Sequence, residues 1–429
     1  MRILILSRTP WRKDNSFGNT YSNLFGYMKD AEIANIYLGD GLPDGDISNV
    51  ISYYRISEKQ IVQRLIHFNT GKRVGEEVKP QYEKEKSNDH YDQSFSEIKR
   101  KRWNIFFVLR EIIWRFGKVD YDGLTEYVKA FDPDIIFLSF YYAAYVDRIA
   151  LHIKKKMNIP MVLEAAVDIY SMKQISFDPV YWVNRLYIRS MIRKTVRRSE
   201  KLYVISEYMK TDYEKMLSIP CSVLYKSPDL SRKKFDYSPK GNDEPLTFLY
   251  TGNISSGRWK SLGILGKAVR DAGLGELEIY TPTPMTDKMR KGLAFCNVHP
   301  PVSAGEVIDL QNGADILVHA ESFSLRDKLE VRYSISTKVM DYISDQRCIL
   351  AIGPRDIASM SFLNDRGLAV CAFSTEEIAG SVNMIRNDRS IIDKTILNIK
   401  KYCDASDTVV ESCHKLEEDL KKTVSEYAV

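Results

Sequence analysis

Residues 333–354 read YSISTKVMDYISDQRCILAIGP, and this stretch predicts a helix that runs directly into a buried strand. Ser336 and Thr337 are suited to cap the helix, whose unpaired N–H groups and dipole favour an anion, and Lys338 adds a full positive charge. Asp341 lies one helical turn after Thr337, where its carboxylate can accept hydrogen bonds from hydroxyl groups. The apolar run CILAI, ended by a Gly-Pro pair, predicts the strand. The pattern indicates an α/β protein with an anion site at this helix start.

A second loop, upstream of the first, has the same character. The apolar run 246–250 predicts a strand, and a glycine- and serine-rich turn joins it to a helical pattern. Gly252 and Gly257 permit positive φ and close approach to the backbone. Arg258 and Lys260 can both reach phosphate oxygens. Either motif alone is equally compatible with an amphipathic helix whose charged side chains are solvated. Two cationic motifs in one half of the chain favour a nucleotide-sugar site.

The segment from Phe248 to Pro354 resembles the donor-binding half of a GT-B glycosyltransferase. The family is the large retaining one often called glycosyltransferase group 1, which includes glycogen synthases and bacterial capsule and lipopolysaccharide enzymes. In that family a glycine turn after the first strand of the second domain precedes an Arg/Lys pair on the donor diphosphate. The resemblance places Arg258 and Lys260 on the diphosphate, with Gly252 and Asn253 in the donor-binding turn. It covers the second half of the chain well and the first half in outline.

The resemblance also concerns the later loop and helix. In the family this element holds the phosphate and ends in a carboxylate on the ribose hydroxyls, which corresponds to 336–341, with Asp341 in place of the usual Glu. The family's other Glu, which touches the transferred sugar, falls on Tyr333. Glu330 or Glu321 is expected to substitute for it after a loop shift.

Length and composition fit a folded protein of two domains. The chain has 429 residues, 44% of them apolar and 28% charged, and its formal net charge of +5 does not indicate a nucleic-acid role. Its six cysteines are scattered without a Cys-x-x-Cys pair, as is typical of a reducing cytoplasm and of a protein without structural zinc. Met1 opens a predicted strand too early for a signal peptide, and no apolar run approaches membrane-spanning length. We therefore expect a cytoplasmic protein.

The first half of the chain predicts an acceptor-side Rossmann-like domain over residues 1–225, built on a parallel, doubly wound sheet. A basic, aromatic insertion near 60–120 interrupts it. Strands are expected at 3–6, 32–38, 135–140, 160–165 and 201–206, and helices at 21–28, 145–157 and 207–217.

The second half predicts another domain of the same kind. Residues 226–245 are polar and rich in proline, which is typical of a linker. The nucleotide-sugar-binding domain follows over 246–405, and residues 406–429 predict a helix that in GT-B proteins often crosses back to the first domain. Strands of this domain are expected at 246–250, 276–280, 314–319, 348–352 and 368–371. The fold class is thus GT-B, with two Rossmann-like α/β domains facing a cleft.

Two stretches of the first domain, 97–118 and 181–201, combine cations with apolar and aromatic residues. This combination is what an interfacial helix on an anionic membrane needs. The alternative is a core helix with a solvated basic face, which fits 181–201 equally well. The long apolar run in 97–118 favours contact with the inner membrane surface, so that the protein would be peripheral there.

The first domain offers fewer chemical candidates. Asp168 lies just past a predicted strand, where ligand-binding residues of open α/β sheets collect, and it is a candidate catalytic group; a turn or helix cap is the alternative. The resemblance puts a glycine-containing first loop, with Asn15, Gly18 and Asn19, on the acceptor side. Residues 132–134 have the Asp-x-Asp spacing of metal-dependent GT-A enzymes, but Pro breaks a helix there and we interpret them as a helix exit.

The resemblance implies a hexosyltransferase-like enzyme that moves a sugar from a nucleotide-diphosphate donor to a glycan or lipid-linked acceptor, with retention, in surface polysaccharide synthesis. Cations and helix N–H groups are expected to stabilise the leaving diphosphate without a metal ion or other cofactor. Two alternatives stay open: a nucleotide-sugar 2-epimerase of the same fold, and an inactive nucleotide-sugar-binding partner protein. An NAD dehydrogenase is disfavoured because Gly-x-Gly-x-x-Gly is absent from both domain starts.

Overall fold

The computed structural model describes residues 1–13, 15–45, 47, 49–66, 73–81 and 104–427. The chain divides into two compact units, of which the first comprises Met1–Tyr225 and Val410–Val429 and the second Lys226–Val409. The basic run 99–102, which the sequence places in an interfacial stretch, lies outside the described residues.

The first unit is built on a sheet that has eight strands in its described part, in the order β4-β3-β2-β1-β5-β6-β7-β8. All neighbouring strands are parallel except β3 and β4, which pair antiparallel at one edge. The central strands are buried along their whole length, as continuous apolar runs in parallel sheets usually are. The strands are β1 Arg2–Ser7, β2 Glu32–Tyr37, β3 Val50–Arg55, β4 Glu76–Val78, β5 Ile135–Ser139, β6 Met161–Ala165, β7 Lys201–Val204 and β8 Cys221–Val223.

Helices connect these strands. One of them ends at Asp132, which adopts a left-handed conformation, and Asp134 accepts a hydrogen bond from the Arg2 backbone at 2.6 Å. The Asp-Pro-Asp motif therefore lies at a helix exit beside the first strand. The described helices of the unit are Ser16–Phe25, Glu58–Ile66, Asn104–Phe116, Tyr121–Phe131, Ala144–Met157, Pro179–Val196, Glu207–Leu217 and, near the end of the chain, Val409–Tyr427.

The helix near the end of the chain, Val409–Tyr427, packs within the first unit. Lys201 Nζ lies 2.6 Å from the Asp419 carboxylate, and Cys413 Sγ contacts the Asn23 carbonyl at 3.0 Å. The first contact spans 218 residues of sequence and the second 390. In the ranges that the structure describes, no helix combines the length and apolar character needed to cross a membrane.

The second unit contains a sheet of six parallel strands in the order β11-β10-β9-β12-β13-β14. Its strands are β9 Leu246–Thr251, β10 Gly275–Tyr280, β11 Asn297–His299, β12 Ile316–Ala320, β13 Cys348–Ile352 and β14 Val370–Ala372. Its helices are Arg258–Asp271, Asp287–Gly292, Ala304–Gly313, Leu325–Val331, Thr337–Ser344, Ala358–Asp365, Glu377–Asn387 and Ser390–Ala405, with a 3₁₀ turn at Leu230–Arg232. The parallel-sheet α/β class predicted for both halves is confirmed.

Residues 226–245, which the sequence suggests as a linker, lie in the second unit and contact it along their length. Asp229 N donates to Ser344 Oγ at 2.8 Å, and Lys240 Nζ lies 2.8 Å from the Asp315 carboxylate. The segment therefore contributes side chains to this unit.

The order of the strands reverses once in each sheet, between β1 and β5 in the first unit and between β9 and β12 in the second. At such a point the connections leave the two neighbouring strands in opposite directions, and a crevice opens beyond their carboxyl ends. Ligands of open α/β sheets bind in this crevice. We therefore expect a ligand of either unit near the residues that follow β1 and β5, or β9 and β12.

Substitutions at two glycines can test the packing of the second unit. A Cβ at Gly263 would lie 2.1 Å from the carbonyl oxygen of Gly292, whereas a Cβ at Gly380, an exposed position of the helix Glu377–Asn387, would meet nothing within 4 Å. We expect Gly263→Ala to lower the free energy of unfolding by about 1–3 kcal/mol because the two helices must separate. Gly380→Ala should raise it by about 0.5–1 kcal/mol. Urea unfolding of both variants checks this, and equal effects would contradict the packing described.

Candidate functional site

A glycine turn lies at the point where the second sheet reverses its strand order. Gly252 directly follows β9 and has φ +120°, a conformation that L side chains rarely adopt. Its N–H donates to the Tyr280 carbonyl at 2.8 Å, and a Cβ at this position would lie 2.9 Å from Lys338 Nζ. Glycine is therefore required both by the turn and by the approach of this lysine.

Lys338 is the cation closest to the glycine turn. Its Nζ donates to the Tyr250 hydroxyl and to the Thr251 carbonyl, both at 3.1 Å, and it lies 4.3 Å from the centre of the Tyr250 ring. All of these partners are neutral, and no carboxylate forms an ion pair with Lys338 in the described part of the chain. Burial lowers the pKa of Lys338, which is the sign of a charge in an unfavourable place. An anion at this point would relieve that cost.

Arg258, at the start of the helix Arg258–Asp271, has a charge partner. Its Nε and Nη2 donate to the two carboxylate oxygens of Glu321 at 2.8 and 3.1 Å, and Glu321 directly follows β12. Burial alone would lower the pKa of Arg258, but the neighbouring Glu321 raises it on balance. Ser261 Oγ donates to the Glu321 carbonyl at 2.8 Å and fixes the same element. The ion pair thus bridges the two strands at the reversal.

Lys260, the second cation that the sequence predicts on a diphosphate, differs from Arg258. Its side chain is exposed, and its ammonium lies 5.8 Å from the ring of the adjacent Trp259. The structure thus brings Arg258 and Lys338 to the glycine turn and gives Lys260 a neighbour in its own helix. Asn253 builds the turn itself, because its Oδ1 accepts from Ser255 N at 2.6 Å and from Thr283 Oγ1 at 3.1 Å.

The helix predicted from the opening stretch begins as expected, at Thr337. Ser336 occupies the N-cap position, but its side chain makes no capping hydrogen bond. The Ser336 backbone is extended, as an N-cap requires, but its hydroxyl does not bond the first turn. The prediction that this side chain caps the helix is therefore wrong. Within the described residues, the N–H groups of that turn have no capping side chain, which suits an anion.

Asp341, the predicted ribose carboxylate, is paired inside its own unit. It accepts from Lys226 Nζ at 2.6 Å, and the Lys226 side chain is 5% exposed. Arg232 Nε lies 3.8 Å from Asp341 and 3.4 Å from Asp345, whose pKa burial raises to about 7. A sugar hydroxyl at Asp341 would therefore share it with Lys226.

Glu330 and Tyr333 flank Arg258 and the helix start. Glu330 is exposed at the end of the helix Leu325–Val331, and its charge adds to that of Glu321 on Arg258. Tyr333, which stands where the family has a Glu, is buried beneath the Arg332 guanidinium, 5.2 Å from its ring centre.

Asp168 of the first unit is enclosed by hydrogen-bond donors. Its carboxylate accepts from Ser171 N at 2.8 Å and from the Tyr213 hydroxyl at 2.9 Å, and Arg185 lies 3.5 Å away. The side chain is 2% exposed. These contacts favour the turn alternative for Asp168 over a catalytic role.

The three predicted acceptor-side residues shape the loop that follows β1. Asn15 caps the helix Ser16–Phe25 by accepting from Gly18 N at 2.7 Å, and its amide donates to the Pro10 carbonyl at 3.0 Å. A Cβ at Gly18 would lie 2.0 Å from the Arg12 carbonyl oxygen, so this position needs glycine. Asn19 N donates to the Asn15 carbonyl at 3.0 Å. The contacts described for all three build the loop itself.

Comparison with known proteins supports the fold. No protein-family model and no curated protein sequence matches the chain. Among solved structures, HepE from Anabaena, crystallised in complex with UDP, aligns with a TM-score of 0.60 at 11% identity and covers 98% of this chain and 100% of that one. Sucrose-phosphate synthase from Thermosynechococcus elongatus aligns with a TM-score of 0.61 at 9% identity, covering 99% of each chain.

A glycosyltransferase from Rickettsia africae aligns at a TM-score of 0.57 and 11% identity, again over 99% of both chains. HepE has also been crystallised with UDP-glucose. At such low identity these similarities show the fold, which is that of GT-B glycosyltransferases.

Glu321 offers a test of the ion pair at the strand reversal. We expect Glu321→Gln to lower the free energy of unfolding by about 2–4 kcal/mol, because the partly buried Arg258 loses its counter-charge. Glu330→Gln removes a charge from the same neighbourhood at an exposed position and should change stability by at most about 0.5 kcal/mol. Thermal and urea unfolding compare the stability of the two variants. An equally small effect of both substitutions would show that the ion pair does not stabilise the fold.

Proposed function

We propose that this protein is a glycosyltransferase that moves a sugar from a nucleotide-diphosphate donor to a glycan or lipid-linked acceptor. The observation that carries the proposal is the Lys338 ammonium, held over the Gly252 turn at the strand reversal with only neutral partners. A diphosphate supplies the missing negative charge, and the reversal is where a parallel α/β sheet accepts a ligand. The fold shared with glycosyltransferases, one of them bound to UDP, supports the donor class.

The chemistry proposed for the site is stabilisation of the leaving group. As the bond to the sugar breaks, negative charge accumulates on the nucleoside diphosphate, and Lys338 with the N–H groups of the turn after Ser336 would meet it. Arg258 would join them by turning part of its fork from Glu321 to a phosphate oxygen. Asp341, between Lys226 and the nucleotide, would accept a ribose hydroxyl. With these cations we propose retaining transfer without a metal ion.

Two other functions of the same fold are less well supported. An epimerase would need histidines at the sugar, yet His319, on β12, is buried, hydrogen-bonded to Ser359 at 3.2 Å, and has its pKa lowered to about 3 by burial. His299 is occupied by Glu278, 2.5 Å from its Nε2. An inactive binding partner is suggested by Tyr333 in place of a Glu, but Glu321 and Glu330 keep carboxylates beside Arg258.

A membrane location is proposed from one helix face. Exposed apolar side chains recur at helical spacing along Asn104–Phe116 and form a stripe of Ile105, Leu109, Ile112 and Phe116. Arg115 and Lys118 are exposed at its end. The neighbouring helix Pro179–Val196 is also in contact with this one. An apolar stripe with cations suits the surface of an anionic membrane, and it supports a cytoplasmic, peripheral enzyme of surface polysaccharide synthesis.

Turnover of UDP- and GDP-sugars tests the proposed transfer. We expect one donor to be hydrolysed or transferred, with release of UDP or GDP, equally with and without EDTA. Lys338→Met should reduce this turnover by about 10²-fold, because it removes one preorganised charge from the leaving group. Lys267→Met removes an exposed cation of the same unit, paired with Asp271, and serves as the matched control.

Three results would contradict this assignment: an epimerised nucleotide sugar as the product, no turnover of any donor, or full activity of Lys338→Met. Loss of activity on chelation, restored by manganese, would contradict the metal-free mechanism alone.

Vesicle binding tests the membrane proposal. We expect the protein to co-float with vesicles rich in phosphatidylglycerol and much less with pure phosphatidylcholine. The double variant Leu109→Ser and Phe116→Ser should lose most of this binding because it interrupts the apolar stripe. Leu397→Ser alters a comparably exposed leucine on a helix of the second unit and should bind as the unmodified protein does. Equal binding by all variants would exclude the stripe as the contact.

A further inference from the structure

The strand reversal of the first sheet also carries a cation without a counter-charge. Arg8 directly follows β1, the strand next to the reversal, and its side chain is half-buried. In the described ranges, no carboxylate forms an ion pair with Arg8, and its guanidinium takes part in no hydrogen bond. By contrast, Arg2 and Arg55 of the same sheet both have carboxylate partners. The Arg8 guanidinium therefore lacks a hydrogen-bond acceptor among the described residues.

Two phenols lie in the neighbourhood of Arg8. Its charge acts on the phenols of Tyr141 and Tyr145, which follow β5 on the other side of the reversal. Burial raises the pKa of Tyr145 to about 12, and the cations Arg110 and Arg8 oppose the rise. The Tyr145 ring stacks on Trp114 with centres 4.1 Å apart.

The Tyr145 hydroxyl and the Trp114 Nε1 are buried, and neither has a hydrogen-bond partner among the residues that the structure describes. Buried polar atoms without partners are rare in folded proteins, and a group of them commonly marks a place that a water or ligand occupies.

The acidic group that acts on Tyr141 has partners of its own. Glu164, at the end of β6, accepts from the Tyr21 hydroxyl at 2.5 Å and also from the Ser139 hydroxyl, and within the described residues both bonds fall on the same oxygen, Oε2. Burial raises the pKa of Glu164 and so works against a negative charge there. Arg110, the other cation beside Tyr145, is paired with Glu58. Arg8 therefore stands as the uncompensated charge of this cluster.

We propose that Arg8 binds a phosphate group of the acceptor at the strand reversal of the first unit. This inference rests on the proposed function, because it names the class of acceptor that the enzyme takes. Arginine suits the role, since its planar fork matches two phosphate oxygens and its charge is permanent. The acceptor is then a sugar phosphate or a lipid-linked sugar whose linkage is a phosphate ester. Both sources share the same recognised group.

Binding of phosphate probes tests the proposal with the full-length protein. Glucose 6-phosphate stands for the soluble source and farnesyl phosphate for the lipid source, and glucose and farnesol are their uncharged counterparts. Calorimetric titration should show binding of at least one phosphate probe and of neither uncharged counterpart. Arg8→Ala should weaken the phosphate probe at least tenfold, and Arg8→Lys should restore part of the loss. Lys129→Ala, which alters an exposed cation of the same unit, should bind like the unmodified protein.

Titration with UDP separates failure of this inference from failure of the proposed function. UDP binding should be equal in the unmodified protein and in Arg8→Ala, which also shows that the variant is folded. With UDP binding intact, the inference is overturned if neither phosphate probe binds, or if Arg8→Ala binds it as tightly as the unmodified protein does. Loss of UDP binding in the unmodified protein would overturn the proposed donor site instead. Tighter binding of farnesyl phosphate identifies a lipid-linked acceptor, and tighter binding of glucose 6-phosphate a soluble one.

Discussion

A positive charge that is partly withdrawn from water needs a negative partner, and Lys338 is given only the Tyr250 hydroxyl and the Thr251 carbonyl. This imbalance arises from the fold. Parallel strands end on the same edge of the sheet, so the turn after β9 and the residues after β12 meet where the strand order reverses. Gly252 leaves the space into which the lysine extends. The donor proposal depends on this unbalanced charge.

Unlike Lys338, Arg258 has its charge balanced within the protein, by Glu321. This ion pair joins the two sides of the reversal and is satisfied without a ligand, so it holds the protein scaffold in place. Arg8 of the first unit resembles Lys338 in one respect, because it also lies at a strand reversal and has no carboxylate partner among the described residues. In the described part of the chain, each unit thus presents an uncompensated cation where its own sheet can accept a ligand.

Much of the fold could be predicted from the sequence because the long central strands are continuous apolar runs. The strands at 135–140 and 348–352 were recognisable in this way, and the structure has Ile135–Ser139 and Cys348–Ile352. The short strands β4, β8 and β11 could not be predicted, since three residues give no detectable period. The equally short β14 was predictable because it lies in the apolar run 368–373.

Only the backbone elements that form the candidate site could be predicted from the sequence. The glycine turn and the start of the Thr337 helix followed from local patterns, but the choice of charge partners did not. Glu321 forms an ion pair with Arg258, 63 residues away in the sequence. Lys226 forms one with Asp341, 115 residues away. Such pairs form only when the sheet has been assembled, and the polar composition around Lys226 indicated a linker instead.

The most direct test of the role of Lys338 is the electron density of UDP in crystals of this protein. If Lys338 receives the donor, diphosphate oxygens lie within hydrogen-bond distance of Lys338 Nζ, beside the Gly252 turn. UDP bound elsewhere, with Lys338 still directed only at Tyr250 and Thr251, would contradict this role.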